Sequence, residues 1–289
     1  MSGLALTIVF IAAFLHATWN TMAKRSRKKI VFVWWFQLFA LIFYLPMFLH
    51  YWPVTTVDQV GWACILASGI IHFFYFLFLG GAYERGDLSL VYPISRGSGP
   101  LFVPLLAVLF IQEQLQLIGV VGILLIILGI YVIHLQAFSW HAALVPLKTM
   151  GGDSFFWSFG TGLTIAVYSL VDKIGVDHVF PPVFIYCMFI VCWLILTPYV
   201  FIRERGNIRP EWTANKYTIL LVGFLVLFTY MSVLFAMRLS KVSYVVAVRE
   251  VSIVFSALYG VFLFGEKYLS QKVAGSVLIA CGVVCIGFG

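Results

Sequence analysis

Arg96 and Arg249 are the residues of this chain whose type and position most demand a chemical explanation. Each lies within an apolar run long enough to cross a bilayer, residues 87–112 and 241–265. Counting about 1.5 Å per residue from either end places both near the middle of a ~30 Å hydrocarbon layer. A charge at that depth is costly unless it faces protein interior or a watery cavity, so it marks a functional site by default. Arginine keeps its charge when buried, and its planar fork matches carboxylate or phosphate oxygens. Glu250 directly follows Arg249 and offsets one of the two positive charges. Two cations and one anion suit an anionic or zwitterionic small molecule. The competing structural reading is an ion pair, or an arginine that caps carbonyls released by nearby prolines.

Other groups at membrane depth bear on the same site. His16 is followed one helical turn later by Asn20. Glu250 and His16 are the titratable candidates to carry a coupled proton. His72, flanked by aromatic residues, reads as a hydrogen-bonded packing residue. Pro93 and Pro100 each remove a backbone donor and disturb the carbonyl four residues earlier. With Gly97 and Gly99 between them they form a candidate hinge, and freed carbonyls lining a cavity can bind a cation or an amine. There is no glycine-rich phosphate loop, metal-ligand cluster or nucleophile elbow. The sequence therefore gives no reason to expect an enzyme, a cofactor or a metal.

The elements that must position these residues follow from hydropathy. Hydrophobic residues make up 63% of the 289 and charged residues 10%, with a mean hydropathy of +1.05. Soluble domains are about half apolar and about a quarter charged. The apolar runs are unbroken rather than alternating, which favours helices over a membrane β-barrel. The expected fold class is an all-α integral membrane protein. Ten transmembrane helices fit at roughly 3–23, 30–50, 60–82, 88–111, 117–135, 153–173, 183–202, 217–238, 241–264 and 273–289. The longest connectors are 136–152 and 203–215, and the first divides the chain into two five-helix repeats, residues 1–140 and 141–289.

Basic residues fall unevenly around these spans. Of 18 Lys and Arg, thirteen lie in loops on the side reached at the end of the first span, three on the other side, and two inside the membrane. The positive-inside bias makes the first side cytoplasmic and sends both termini outside a cell (inner) membrane. Orientation accounts for the net charge of +7, so nucleic acid is not an expected partner. The five cysteines lie in apolar runs, with no metal-binding spacing and an odd count.

The halves repeat one another. Arg96 and Arg249, Glu113 and Glu266, Gly122 and Gly275, and Gly129 and Gly282 are all separated by 153 positions. Trp19-Asn20 followed by Lys24 matches Tyr168-Ser169 followed by Lys173. Five spans per repeat is an odd number, so the second copy must insert inverted. Inverted repeats characterise transporters with a site at the membrane midplane. Glu113 and Glu266 are expected to cap the helices that follow them. The glycines, spaced by seven within each half, form one face suited to helix packing or to a homodimer contact. Trp34-Trp35 and Tyr51-Trp52 read as interfacial belt residues at the two ends of the second span.

On these paired motifs, and on Phe264-Gly265-Glu266 with Gly275 and Gly282, the chain resembles the EamA-type members of the drug/metabolite transporter superfamily. The resemblance spans the whole length, although Phe110-Ile111-Gln112-Glu113 lacks the glycine of the matching motif. It implies ten helices around a central cavity lined by the first, third, fourth, sixth, eighth and ninth spans. It also implies alternating access, often for export. Trp19, Tyr75, Tyr92, Tyr168 and Tyr230 fall on those spans, where a ring would stack on a substrate ring or ammonium. The expected activity is secondary transport of a small polar metabolite, anionic or zwitterionic and amino-acid-like, with protons as a coupling ion. The alternatives are an exporter of lipophilic or aromatic cations bound by Glu250, and a lipid-linked flippase. Membrane lipid is the surrounding partner, and the protein acts as a monomer or homodimer.

Overall fold

Backbone amides and carbonyls inside a bilayer have no water to turn to, so each must be satisfied within its own segment. This chain accordingly folds into helices, and no strand occurs among the described residues. The computed structural model describes residues 1–23, 26–85, 88–135, 137–139, 144, 152–264 and 269–289, without the side chains of 83, 88–90, 92–93 and 261–264. The first half comprises α1 (Gly3–Ala23), α2 (Lys29–Tyr51), α3 (Gln59–Arg85), α4 (Leu88–Ile111) and α5 (Leu117–Ile133). The second comprises α6 (Asp153–His178), α7 (Pro181–Arg203), α8 (Ile208–Leu239), α9 (Val242–Arg249), α10 (Val251–Phe264) and α11 (Leu269–Phe288). Among the described residues nine segments are long and apolar enough to cross a membrane, with Val242–Gly260 taken as one, and Leu117–Ile133 is a shorter apolar helix.

The halves interleave rather than sit side by side. α1 packs on α8 as its counterpart α6 packs on α3, and α2 meets α8 as α7 meets α3. α4 lies on α6 as α9 and α10 lie on α1. α2 with α7, α4 with α9, and α5 with α11 also pair with their own counterparts. This is the contact pattern of two inverted five-helix repeats about one pseudo-two-fold axis.

The α5–α11 pair depends on glycine. A Cβ on Gly122 would lie 2.6 Å from the Gly282 carbonyl oxygen, and one on Gly282 would lie 2.6 Å from that of Gly122. Gly129 and Gly275 repeat the arrangement at 2.7 and 2.6 Å. Backbones this close exclude any side chain. The seven-residue glycine face is therefore spent inside the chain and is not available for a homodimer contact.

Several sequence expectations change. The ninth span is not one helix: α9 ends at Arg249 and α10 starts at Val251. Glu250, at φ −69 and ψ −5, takes the tight turn between them, its amide donating to the Ala247 carbonyl at 3.1 Å. No proline or glycine announces the break. The β-branched run around it, Val245, Val246, Val248, Val251 and Ile253, weakens helix propensity locally. The segment expected as a loop at 203–215 is mostly helical, because α8 begins at Ile208 and kinks at Asn215. α6 runs to His178 rather than 173.

Trp34 is buried rather than interfacial. Its indole donates to Thr197 Oγ1 at 2.9 Å and its ring stacks on Trp193. Trp35 is tied to the Ile208 carbonyl at 3.1 Å. α7 and the start of α8 cover both rings.

Glu113 does not cap the helix that follows it. Its carboxylate accepts from the Val242 amide at 2.7 Å, the Ser243 amide at 3.2 Å and the Ser243 hydroxyl, so it caps α9 from the other half. The free amides and positive dipole end of a helix N-terminus attract a carboxylate wherever it comes from in sequence. Glu266 lies outside the described residues.

Candidate functional site

The break between α9 and α10 positions two charges, Arg249 before it and Glu250 within it. Arg249 ends α9, where the negative end of the helix dipole favours a cation. Glu250 stands immediately before α10, whose N-terminus favours an anion. The pair is thus stabilised locally at a depth where either charge alone would be costly.

α4 delivers Arg96 to the same point. Glu250 Oε1 lies 3.8 Å from Arg96 Nη1 and 3.8 Å from Arg249 Nη2. One acid of the second half therefore bridges two arginines drawn from mirrored helices. All three are nearly buried, at 6%, 4% and 1% exposure. Among the described residues three of their polar atoms, Arg249 Nε, Arg249 Nη2 and Glu250 Oε2, have no hydrogen-bond partner. Nε and Nη2 form one edge of the guanidinium, the edge that takes a carboxylate in two parallel hydrogen bonds. Buried polar atoms are nearly always satisfied, so a vacant donor edge beside a vacant acceptor calls for an explanation.

α1 contributes the next layer. His16 Nε2 lies 2.6 Å from Arg96 Nη2 and 2.7 Å from Asn20 Nδ2. A guanidinium has only donors to offer, so Nε2 must accept, and His16 is neutral with its proton on Nδ1. Trp19 packs edge-on to the His16 ring at 4.8 Å. The His16, Asn20 and Trp19 expectations thus converge on Arg96.

The aromatic residues form one wall. Tyr168 on α6 stacks on His72 of α3 at 4.2 Å, with Tyr75 5.7 Å and Tyr230 6.2 Å from the Tyr168 ring. Tyr168 is close enough to Arg249 and Arg96 to feel both charges. Gly97, Gly99 and Pro100 lie within the unbroken α4 helix, with Gly99 against Ile165 of α6. The side chains of Tyr92 and Pro93 lie outside the described residues. Among the described residues no group of acids, histidines and cysteines is arranged to hold a metal.

A further acid sits behind the aromatic wall. Asp172 on α6 is fully buried, accepting hydrogen bonds from Ser68 of α3 and from Tyr230 of α8. Sequence reasoning missed it because the sixth span was expected to end at residue 173, which put Asp172 at the membrane edge. Helix α6 continues more than a turn further, to His178, and carries the carboxylate inward. The one signal available was the string of helix-compatible residues 174–178 after Lys173. Around this site the buried charges among the described residues are therefore two arginines and two acids, not two and one.

The family model of the EamA-like transporter family matches residues 3–135 and again residues 154–288. The chain belongs to the EamA-like transporter family. That family is part of the drug/metabolite transporter superfamily, and membrane transport is its activity. An uncharacterized transporter of Archaeoglobus fulgidus is 22% identical over 273 residues, covering 86% of this chain and 84% of that one. An uncharacterized protein of Methanocaldococcus jannaschii is 27% identical over 134 residues, which are 46% of this chain but 97% of that protein. Just under half of this EamA-like chain thus spans nearly the whole of that relative. A protein known from a crystal structure superposes with a TM-score of 0.72 at 16% identity, covering 100% of this chain and 98% of that one. That likeness shows a shared fold.

Proposed function

We propose that this EamA-like chain is a secondary active transporter of a small polar zwitterion, amino-acid-like, carried by alternating access. The observation that carries the reading is the vacant edge of Arg249 beside the vacant oxygen of Glu250. A substrate carboxylate would fill Arg249 Nε and Nη2, and its ammonium would fill Glu250 Oε2. Arg96 holds Glu250 in place, and His16 with Asn20 orients Arg96. Tyr75, Tyr168, Tyr230 and Trp19 wall the substrate.

The near-complete burial of the three charges supports a site closed to water in this conformation, so that substrate enters only when one side opens. Repeats 1–140 and 141–289 rock against each other, with α4 bending about Pro93, Gly97, Gly99 and Pro100. Ten spans in one chain suffice for the path, so a monomer is competent. The positive-inside bias supports a cell inner membrane with both termini outside.

The test is uptake of labelled amino acids into vesicles containing the purified protein. Uptake is expected for the native protein and lost in Arg96→Ala and Arg249→Ala. Equal uptake by both variants would remove the proposed site.

A further inference from the structure

We infer that Asp172 is the coupling acid of the transport cycle, binding and releasing one proton in a second site one helical turn from the substrate site. The inference rests on the substrate reading above and adds the coupling ion and its residue.

Glu250 and Asp172, the two buried acids around the site, are held differently. Glu250 has two guanidinium groups 3.8 Å away. Asp172 is just as buried, yet among the described residues it forms no ion pair and accepts only from neutral hydroxyls, Ser68 on one oxygen and Tyr230 on the other. A fully buried carboxylate without a cation at contact distance is the group whose charge can be removed at least cost. Ser68 is itself fixed, since His72 Nδ1 donates to the Ser68 carbonyl at 2.9 Å and lies 3.2 Å from its hydroxyl.

The titratable and charged groups around Asp172 come from four helices. They are Cys64 and His72 on α3, Tyr168 and Lys173 on α6, Tyr230 on α8 and Arg249 on α9. Lys173 does not neutralise Asp172, because its ammonium goes to Asp177 at 3.1 Å and the Met237 carbonyl at 2.9 Å. Arg249 acts on Asp172 through space and so connects the two sites. Tyr168, one turn before Asp172 on α6, provides the mechanical link through its stacking on His72.

The charge balance gives the direction. With Asp172 ionised, the two arginines and two acids sum to zero. Of the substrate's two charged ends the carboxylate lies on Arg249, the charge that acts on Asp172, whereas the ammonium lies on Glu250, which does not. The carboxylate therefore decides the sign, cancels the positive charge that steadies the Asp172 anion, and favours the neutral acid. By linkage, a proton on Asp172 strengthens carboxylate binding to the same extent. The proton comes from water on the entry side, forms an O–H bond on an Asp172 carboxyl oxygen, and returns to water on the exit side. Substrate and proton travel together, and no other reactant is needed.

Infrared pH-difference spectroscopy on the purified protein tests this without substrate. The native protein should show the carbonyl stretch of a buried carboxylic acid that appears and disappears with pH. The band should be lost in Asp172→Asn and kept in Glu250→Gln. Tyr230→Phe and Ser68→Ala keep the acid but remove one donor to its ionised form, so the band should persist to higher pH by about one unit. These two variants decide the matter if Asp172→Asn does not yield folded protein. A band unchanged in Asp172→Asn, or indifferent to both donor deletions, would overturn the inference. Failure here leaves the arginine site standing, whereas loss of amino-acid uptake effects with an intact Asp172 band would refute the substrate reading alone.

Discussion

Arg96 of the first half and Glu250 of the second meet at 3.8 Å, and Arg249 reaches the same carboxylate oxygen from the other side at the same distance. The inverted repeat is therefore closed at its centre by charge. Neither half can move without re-forming or breaking an ion pair in a nearly dry interior, where removing one partner costs about 3–5 kcal/mol.

From that cost follows an asymmetry between variants. Arg249→Ala removes the vacant donor edge and should lower substrate affinity by at least about 10- to 100-fold, the worth of one charge-assisted hydrogen bond. Arg249→Lys keeps the charge but not the fork, and should recover only part of the loss. Competition binding on purified protein separates the two.

The glycine contacts between α5 and α11 predict a stability effect without a transport effect of their own. Gly122→Val or Gly282→Val inserts a side chain where a carbonyl oxygen lies 2.6 Å from the added Cβ. Overpacking of this kind costs about 1–3 kcal/mol. Thermal unfolding should move down by several degrees, and more in the double variant. An unchanged melting point would mean that the two helices separate freely.

Glu113 is expected to hold the α9 N-terminus in place. Glu113→Ala removes acceptors for two backbone amides and a hydroxyl, a loss of about 1–2 kcal/mol for a helix cap. Hydrogen exchange at Val242 and Ser243 should accelerate, while exchange in α11 stays unchanged.

On the face shared by the α2–α3 connection and the end of α6, Asp58 lies 2.7 Å from His178. The Gly61 amide first, and then His178, hold the Asp58 carboxyl below its ordinary value. A lowered folded-state value stabilises above the unfolded carboxylate range, about pH 4, and is lost as pH falls through the folded value. The melting-temperature difference between native protein and Asp58→Asn should therefore persist at neutral pH and vanish on acidification below pH ~4. A difference that instead grew with acid would contradict this contact.

Hydropathy and the offset of 153 were enough to place the helices, the inverted repeat and both arginines, because lipid enforces one backbone solution and repetition doubles the signal. Three features were out of reach for physical reasons. The break at Glu250 carries no proline; the β-branched residues around it only weaken the helix, and the opposed helix ends that stabilise Arg249 and Glu250 come from the fold. Glu113 caps a helix about 130 residues away, a contact no local pattern encodes. Asp172 falls at the membrane edge if the sixth span stops at residue 173, but α6 runs on to His178. The prolines of α4 mark a candidate hinge, whereas the observed helix break lies in the corresponding span of the second half, which lacks them.

The most direct test of the central claim compares three ligands of one carbon skeleton in thermal-shift binding: an amino acid, its decarboxylated amine and its deaminated acid. The account predicts that the zwitterion stabilises the native protein most, that Arg249→Ala abolishes the contribution of the carboxylate, and that Glu250→Gln abolishes that of the ammonium. Equal stabilisation by the amine and the amino acid, unaffected by Arg249→Ala, would contradict it.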